Sequence, residues 1–167
     1  MQSRYIIDGL NFLYCRTALL YIIITFAIKV IQQQLMAKRE YVESNRAWLV
    51  AKSQEEGVKP LPMGIFYKVL NKGNAASPTP SRRSIIIAHY TGRTINGKKF
   101  DSSRGGAPLA CRLSDLIQGW IIALQQMHIG DKWEIYIPAE MGYGKSSVPG
   151  IPGGSTLIFE IELLGIS

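Results

Sequence analysis

Reactive and metal-binding side chains are scarce in this chain of 167 residues. It has two cysteines, Cys15 and Cys111, far apart and not in a C-x-x-C pair. A disulfide framework or a cysteine zinc site is therefore not expected, and the chain suits a reducing compartment at least as well as an oxidising one. Its two histidines, His89 and His128, each lack a second histidine or a carboxylate at ligand spacing, so no metal site is expected. There is no G-x-S-x-G elbow and no general base near Cys111 in sequence, which leaves nucleophilic catalysis without an actor. Gly144-Lys145-Ser146 resembles the end of a phosphate-binding loop. The first glycine of that motif would fall at Ala139, however, and Pro149-Gly150 blocks the helix that should follow. Neither a metal nor a cofactor is called for.

Charge of one sign is missing from half of the chain. The net charge is +7, yet residues 84–167 hold 7 Lys/Arg and 7 Asp/Glu, against 12 and 5 in residues 1–83. A nucleic-acid reader carries its basic stripe on the folded unit, so nucleic-acid binding is not expected.

A clean membrane-spanning run is also missing. From Gly9 to Ile28 the sequence is almost all apolar, but Arg16 interrupts it and the uncharged run Thr17 to Ile28 is only 12 residues, where a spanning helix wants about 20. Asp8 before the run and Lys29 after it make a poor signal peptide, and no small-x-small cleavage site follows. Residues 1–35 are read three ways: a membrane anchor through residues 9–31, an apolar helix that docks on a partner or a second copy, or an extension ahead of a start at Met36. A cytoplasmic location is the expectation, with membrane attachment as its alternative.

What is present is a helix over residues 37–56, with Ala37, Tyr41, Trp48, Leu49 and Ala51 roughly on one side and Gly57 as its stop. Residues 36–59 form a helical extension and linker, and residues 60–167 form the main domain. In that domain Ile65 to Leu70, Ser84 to Tyr90, Trp133 to Ile137 and Leu157 to Leu163 alternate as strands, and Asn96-Gly97 marks a hairpin. Leu116, Ile117, Trp120, Ile121, Leu124 and Met127 fall on one face of a short helix. Several strands around one amphipathic helix argue for an α+β domain, an antiparallel sheet wrapped over that helix.

Between the last two strands lies a loop dense in proline and glycine, stiff for that reason, which carries Tyr143, Val148 and Ile151 and reads as the rim of a pocket. Tyr90, Phe100, Leu109, Leu116, Ile117, Trp120, Tyr143, Ile151 and Phe159, with Asp101 as a lone carboxylate, make a set that is more than plain core. Two phenols need partners if buried, loop positions are unusual for core residues, and Asp101 is costly to bury unless paired.

Several collinear segments then identify a family. Ala-His-Tyr-Thr-Gly (88–92), Asn-Gly-Lys-Lys-Phe-Asp-Ser-Ser (96–103), Gly-Trp (119–120), Ile-Pro-Ala-Glu-Met-Gly-Tyr-Gly (137–144) and Ser-Thr-Leu-Ile-Phe-Glu-Ile-Glu-Leu (155–163) resemble an FKBP-type peptidyl-prolyl cis-trans isomerase. The helix and linker of residues 38–63 resemble the bacterial branch with a helical N-terminal extension, which implies a homodimer through that helix. The resemblance implies a curved five-stranded antiparallel sheet around one short helix and a role in protein folding. Its substrates would be X-Pro bonds of unfolded or flexible polypeptides, and macrolides would be its inhibitors. It places Trp120 as the pocket floor, Tyr90, Phe100 and Phe159 as walls, and Leu116 and Ile117 at the edge. The Ile117 N–H would meet a substrate carbonyl, the Tyr143 hydroxyl the substrate amide, and Asp101 would be tied to Tyr90. The chain departs from well-known members in Leu109 for an aromatic, Gly106 for an arginine, and a loop one residue shorter between Tyr143 and Thr156. These differences bear on peptide preference and macrolide affinity. The rival function is a non-enzymatic chaperone or scaffold that holds unfolded or proline-containing segments.

Overall fold

The structure, a computed structural model, describes the backbone of residues 2–167 and the side chains of residues 20–167. Expectations that concern residues 1–19 fall outside the described side chains. The chain divides into two compact units, Met1–Glu40 and Tyr41–Ser167, with the division inside a single long helix, α1 (Gln2–Ser53). In the first unit the described side chains from Leu20 to Met36 are almost all exposed, Leu20, Tyr21, Ile22, Ile23, Ile24 and Phe26 included. The helix is long and apolar enough to cross a membrane by length and composition.

The second unit contains the end of α1 and seven strands: β1 (Val58–Leu61), β2 (Ile65–Asn71), β3 (Ile85–Thr94), β4 (Lys99–Ser102), β5 (Leu109–Arg112), β6 (Lys132–Ile137) and β7 (Leu157–Ile166). They form one antiparallel sheet in the order β1-β2-β6-β7-β3, and the far edge of β3 is shared by β4 and β5. The α+β sheet-and-helix fold is as the sequence implies, but with seven strands in place of five. Val58–Leu61, read as linker, forms an edge strand, the one place where Pro60 costs no ladder bond that matters. The segment opposite β3 is split in two: β5 pairs with Ile85–Ala88 and β4 with Thr91–Arg93.

Alternation does the rest. Leu157, Phe159, Ile161 and Leu163 of β7 are buried on one face, while Ile158, Glu160 and Glu162 between them are half exposed. Ile86 and Ala88 of β3 and Ile135 and Ile137 of β6 join that dry face. Helix α2 (Gln118–Leu124) crosses it with Gly119, Trp120, Ile121, Ala123 and Leu124 buried. Seven residues are too few for a helix to persist in water alone. Burial of its large apolar side chains, roughly 1.5–3 kcal/mol each, is what holds it. It is shorter than the Leu116–Met127 periodicity, because Leu113–Asp115 takes a separate 3-10 turn and Ile117 is extended at the helix start.

Candidate active site

The aromatic cluster forms where the far-edge partner of β3 changes from β5 to β4, while β3 stays paired with β7. Around Tyr90 the backbone bonds to serine side chains as well as to strand partners. Ser103 Oγ accepts the Tyr90 N–H at 3.0 Å, and Ser102 Oγ donates to the Tyr90 carbonyl at 3.1 Å. The chain leaves the sheet at Ser103 and returns as β5 at Leu109, so the Tyr90 ring is fixed beside a gap.

Four aromatic rings meet there edge to face. The Trp120 indole centroid lies 5.2 Å from Tyr90 at 83° and 5.2 Å from Phe159 at 87°, and Phe100 meets Phe159 at 5.5 Å and 85°. Such T-shaped pairs place a positive ring edge on a negative face and favour one arrangement. Trp120 is 3% exposed, and its indole N–H has no hydrogen-bond partner among the described residues. Ile151 and Phe159 are buried in the same cluster, and Tyr90, Phe100, Leu109, Leu116, Ile117 and Val148 pack against it partly buried.

Polar groups are few and lie at the edge. The Tyr90 hydroxyl donates to Asp101 Oδ2 at 2.5 Å, while the Ser102 N–H donates to Asp101 Oδ1 at 2.8 Å. Burial, the bond to Asp101 and that carboxylate's charge push the Tyr90 phenol well above the ordinary range, with Tyr143 and Cys111 adding to the effect. Burial likewise raises the Cys111 thiol. Tyr143, on the β6–β7 loop, is 40% exposed. Ile117, at the N-terminal start of α2, has its carbonyl engaged by the N–H groups of Trp120 and Ile121.

Nine of the residues singled out in the sequence share one apolar cluster, Asp101 joins it through the Tyr90 hydroxyl, and Tyr143 lies outside the cluster, exposed but near enough to influence Tyr90. Cys111, which faces the cluster from β5, and Ser102 and Ser103, which pin Tyr90, were not singled out. The signal for Cys111 was its period-two spacing from Leu109. The histidines lie elsewhere in role: His89 Nδ1 bonds to Ser103 Oγ at 3.1 Å and His128 Nδ1 to the Ser77 carbonyl at 2.7 Å.

Residues 77–164 match the model of the FKBP-type peptidyl-prolyl cis-trans isomerase family. The chain belongs to that family. Among its relatives is the peptidyl-prolyl cis-trans isomerase Mip of Coxiella burnetii, 41% identical over 126 residues, which make up 74% of this chain and 54% of the relative. Another is a Legionella longbeachae protein named outer membrane protein MIP, 38% identical over 146 residues, covering 81% of this chain and 62% of that one. The crystal structure of FkpA from Escherichia coli superposes with a TM-score of 0.72 at 31% identity, covering 100% of this chain and 74% of that chain. The chain therefore spans about half to two thirds of the length of the Coxiella and Legionella relatives.

Proposed function

We propose that this chain is a peptidyl-prolyl cis-trans isomerase acting on X-Pro bonds of unfolded or flexible polypeptides. The observation that carries this reading is the edge-to-face cluster of Trp120, Tyr90, Phe159 and Phe100, with the Tyr90–Asp101 pair at its edge. The barrier to rotation, about 18–20 kcal/mol, comes from amide resonance, which separates charge and is favoured by water. An apolar hollow that takes the proline ring onto Trp120 withdraws that solvation and reduces the advantage of the planar bond over the twisted transition state. The Ile117 N–H, at a helix start where the first donors lack helical partners, would receive the carbonyl before proline. The Tyr143 hydroxyl would meet the substrate amide, while Tyr90 and Asp101 hold each other in place at the rim. Leu109, Leu116, Val148 and Ile151 would grip the flanking chain. No proton transfer, nucleophile, metal or cofactor enters this scheme. A macrolide would compete for the same hollow.

The test is the cis-to-trans relaxation of a short X-Pro peptide, which uncatalysed takes on the order of 10–100 s. With the full chain at catalytic concentration, relaxation should speed up, and a macrolide should slow it again. No acceleration, together with retained suppression of aggregation of an unfolded client, would replace the isomerase by a holding chaperone.

We infer further that the apolar helix attaches the protein to a membrane and not to a second copy of itself. Leu20, Tyr21, Ile22, Ile23 and Ile24 are consecutive and each at least half exposed. At 3.6 residues per turn they cover every side of the helix. A dimer seam needs a stripe at helical spacing, whereas an apolar surface all round suits lipid. Native protein should sediment with membranes and resist high-salt washing. Recovery in the soluble fraction as a dimer would overturn this reading and favour the homodimer and the cytoplasmic location.

A further inference from the structure

The loop between β6 and β7, from Pro138 to Thr156, is closed at its own neck. The Gly144 N–H donates to the Ala139 carbonyl at 2.7 Å and the Gly154 N–H to the Gly144 carbonyl at 2.8 Å, so Tyr143 sits next to the closure. Beyond the neck the tip is a tight turn in which Val148 and Ile151 exchange backbone bonds at 3.0 and 2.9 Å. Behind this tip a cleft of about 440 Å³ separates Val148, Gly150 and Pro152 from Tyr41 and from the hairpin residues Thr94 and Asn96. The tip touches the hairpin at Phe100, where a Cβ on Gly150 would lie 3.4 Å from the Phe100 Cβ, and the cleft lies behind that point.

What braces the loop is the end of α1. Asn45 is 1% exposed, a position where an amide must be fully engaged. Its Oδ1 accepts the Thr156 N–H at 2.8 Å, its carbonyl accepts the Thr156 hydroxyl at 3.2 Å, and its Nδ2 donates to the Tyr41 carbonyl at 2.9 Å. One turn earlier, the Tyr41 hydroxyl meets Ser155 Oγ at 2.7 Å. The Ser155 hydroxyl donates to the Pro152 carbonyl at 2.6 Å, so Tyr41 is the donor of the pair. Val42 lies so close that a Cβ on Gly154 would come within 2.5 Å of its Cγ2, and Gly154 has φ +85°. Four consecutive residues of the neck, Gly153, Gly154, Ser155 and Thr156, are buried.

We propose that Asn45 is a positioning residue for Tyr143, clamping the neck of its loop to α1; this rests on the isomerase reading above. The Asn45 side chain fixes the Thr156 backbone, the Thr156–Gly154 segment fixes Gly144, and Gly144 fixes the direction in which Tyr143 leaves the neck. Trp120 stands on α2 and Phe100 on β4, and Phe159, three residues beyond Thr156, is held in β7 by its pairing with Gly92 and Ile135.

The experiment is a double-mutant cycle in the full chain. Asn45→Ala should lower kcat about 3- to 10-fold and raise KM by a smaller factor, because the Trp120 floor stays in place while Tyr143 is misplaced together with the loop residues Val148 and Ile151. In a Tyr143→Phe background the same change should cost less than about twofold more, because its effect runs through the hydroxyl already removed. Full kcat in folded Asn45→Ala, or costs that multiply in the double variant, would overturn the proposal. Tyr41→Phe removes one hydrogen bond at a half-buried site and should show the same coupling, about two- to threefold in kcat, if Asn45→Ala does not fold. Hydrogen exchange at the Gly154 and Thr156 amides should quicken at least about tenfold in Asn45→Ala. That measurement stands even if the wild-type chain accelerates no X-Pro bond. The isomerase reading would then fall alone, and unchanged exchange would remove the clamp independently.

Discussion

The Tyr90 hydroxyl is bonded to Asp101 at 2.5 Å between adjacent strands, β3 and β4, whose register places Gly92 opposite Asp101. This bond has a consequence for alkaline stability. The folded phenol is held above its ordinary value, chiefly by burial and then by Asp101, so the folded state keeps its proton when the unfolded chain has begun to lose it. The contribution is fully present below about pH 10, the unfolded value, and is lost as pH rises from there toward the folded value. Tyr136, raised by burial and then by its bond to Glu134, acts in the same direction. Urea midpoints measured from pH 9 to 12 should fall with pH, and less steeply in Tyr90→Phe. An unchanged slope in that variant would mean that Tyr90 is not the group responsible.

Tyr143 is exposed on the β6–β7 loop, near enough to Tyr90 to influence its phenol. Removal of the Tyr143 hydroxyl in Tyr143→Phe should lower kcat/KM about 3- to 10-fold, the value of one hydrogen bond made in the transition state, with no loss of stability. Asp101→Asn should cost a similar factor by loosening Tyr90. X-Pro relaxation rates alongside urea midpoints separate activity from folding in both variants. Equal activity in all three proteins would remove these residues from the mechanism.

Gly92 is where the two phenylalanine walls come closest to the backbone. A Cβ there would lie 2.5 Å from the Phe100 ring and 2.8 Å from the Phe159 ring. Gly92→Ala should push both rings off their edge-to-face geometry, raise KM several-fold and destabilise the fold by about 1–3 kcal/mol. The paired readout is KM and the urea midpoint, and an unaltered KM would show that the walls do not contact substrate.

Of the three tryptophans, only Trp120 lies in the hollow. Trp48 packs edge-on to Tyr136 at 5.9 Å and Trp133 stacks on Tyr67 at 4.1 Å. A proline-containing peptide or a macrolide should change the tryptophan emission of the native protein, and Trp120→Leu should abolish that change. A response that survives in Trp120→Leu would place the ligand elsewhere.

Much of this was legible along the chain. The period-two alternation of β7 and the apolar spacing of α2 fix which face of each is dry, since a slip of one residue in a strand reverses every side chain. The collinear segments around Tyr90, Phe100, Trp120, Tyr143 and Phe159 were enough to place the family. The strand count was less legible. Val58–Leu61 contains a proline and reads as a linker, and it becomes a strand only because β2 offers it an edge. The split of the partner of β3 into β4 and β5 is likewise a property of the paired sheet.

By itself, then, the sequence determined the elements whose hydrophobic period is local, and the residue types that make an apolar hollow with a polar rim. The tertiary structure alone decided what Asn45 does. On a helical wheel it is a polar intruder between Tyr41 and Leu49, and only the packing of α1 against the β6–β7 loop makes it the partner of the Thr156 N–H. A buried amide has no meaning until the chain brings its partner, 111 residues away, within hydrogen-bonding distance.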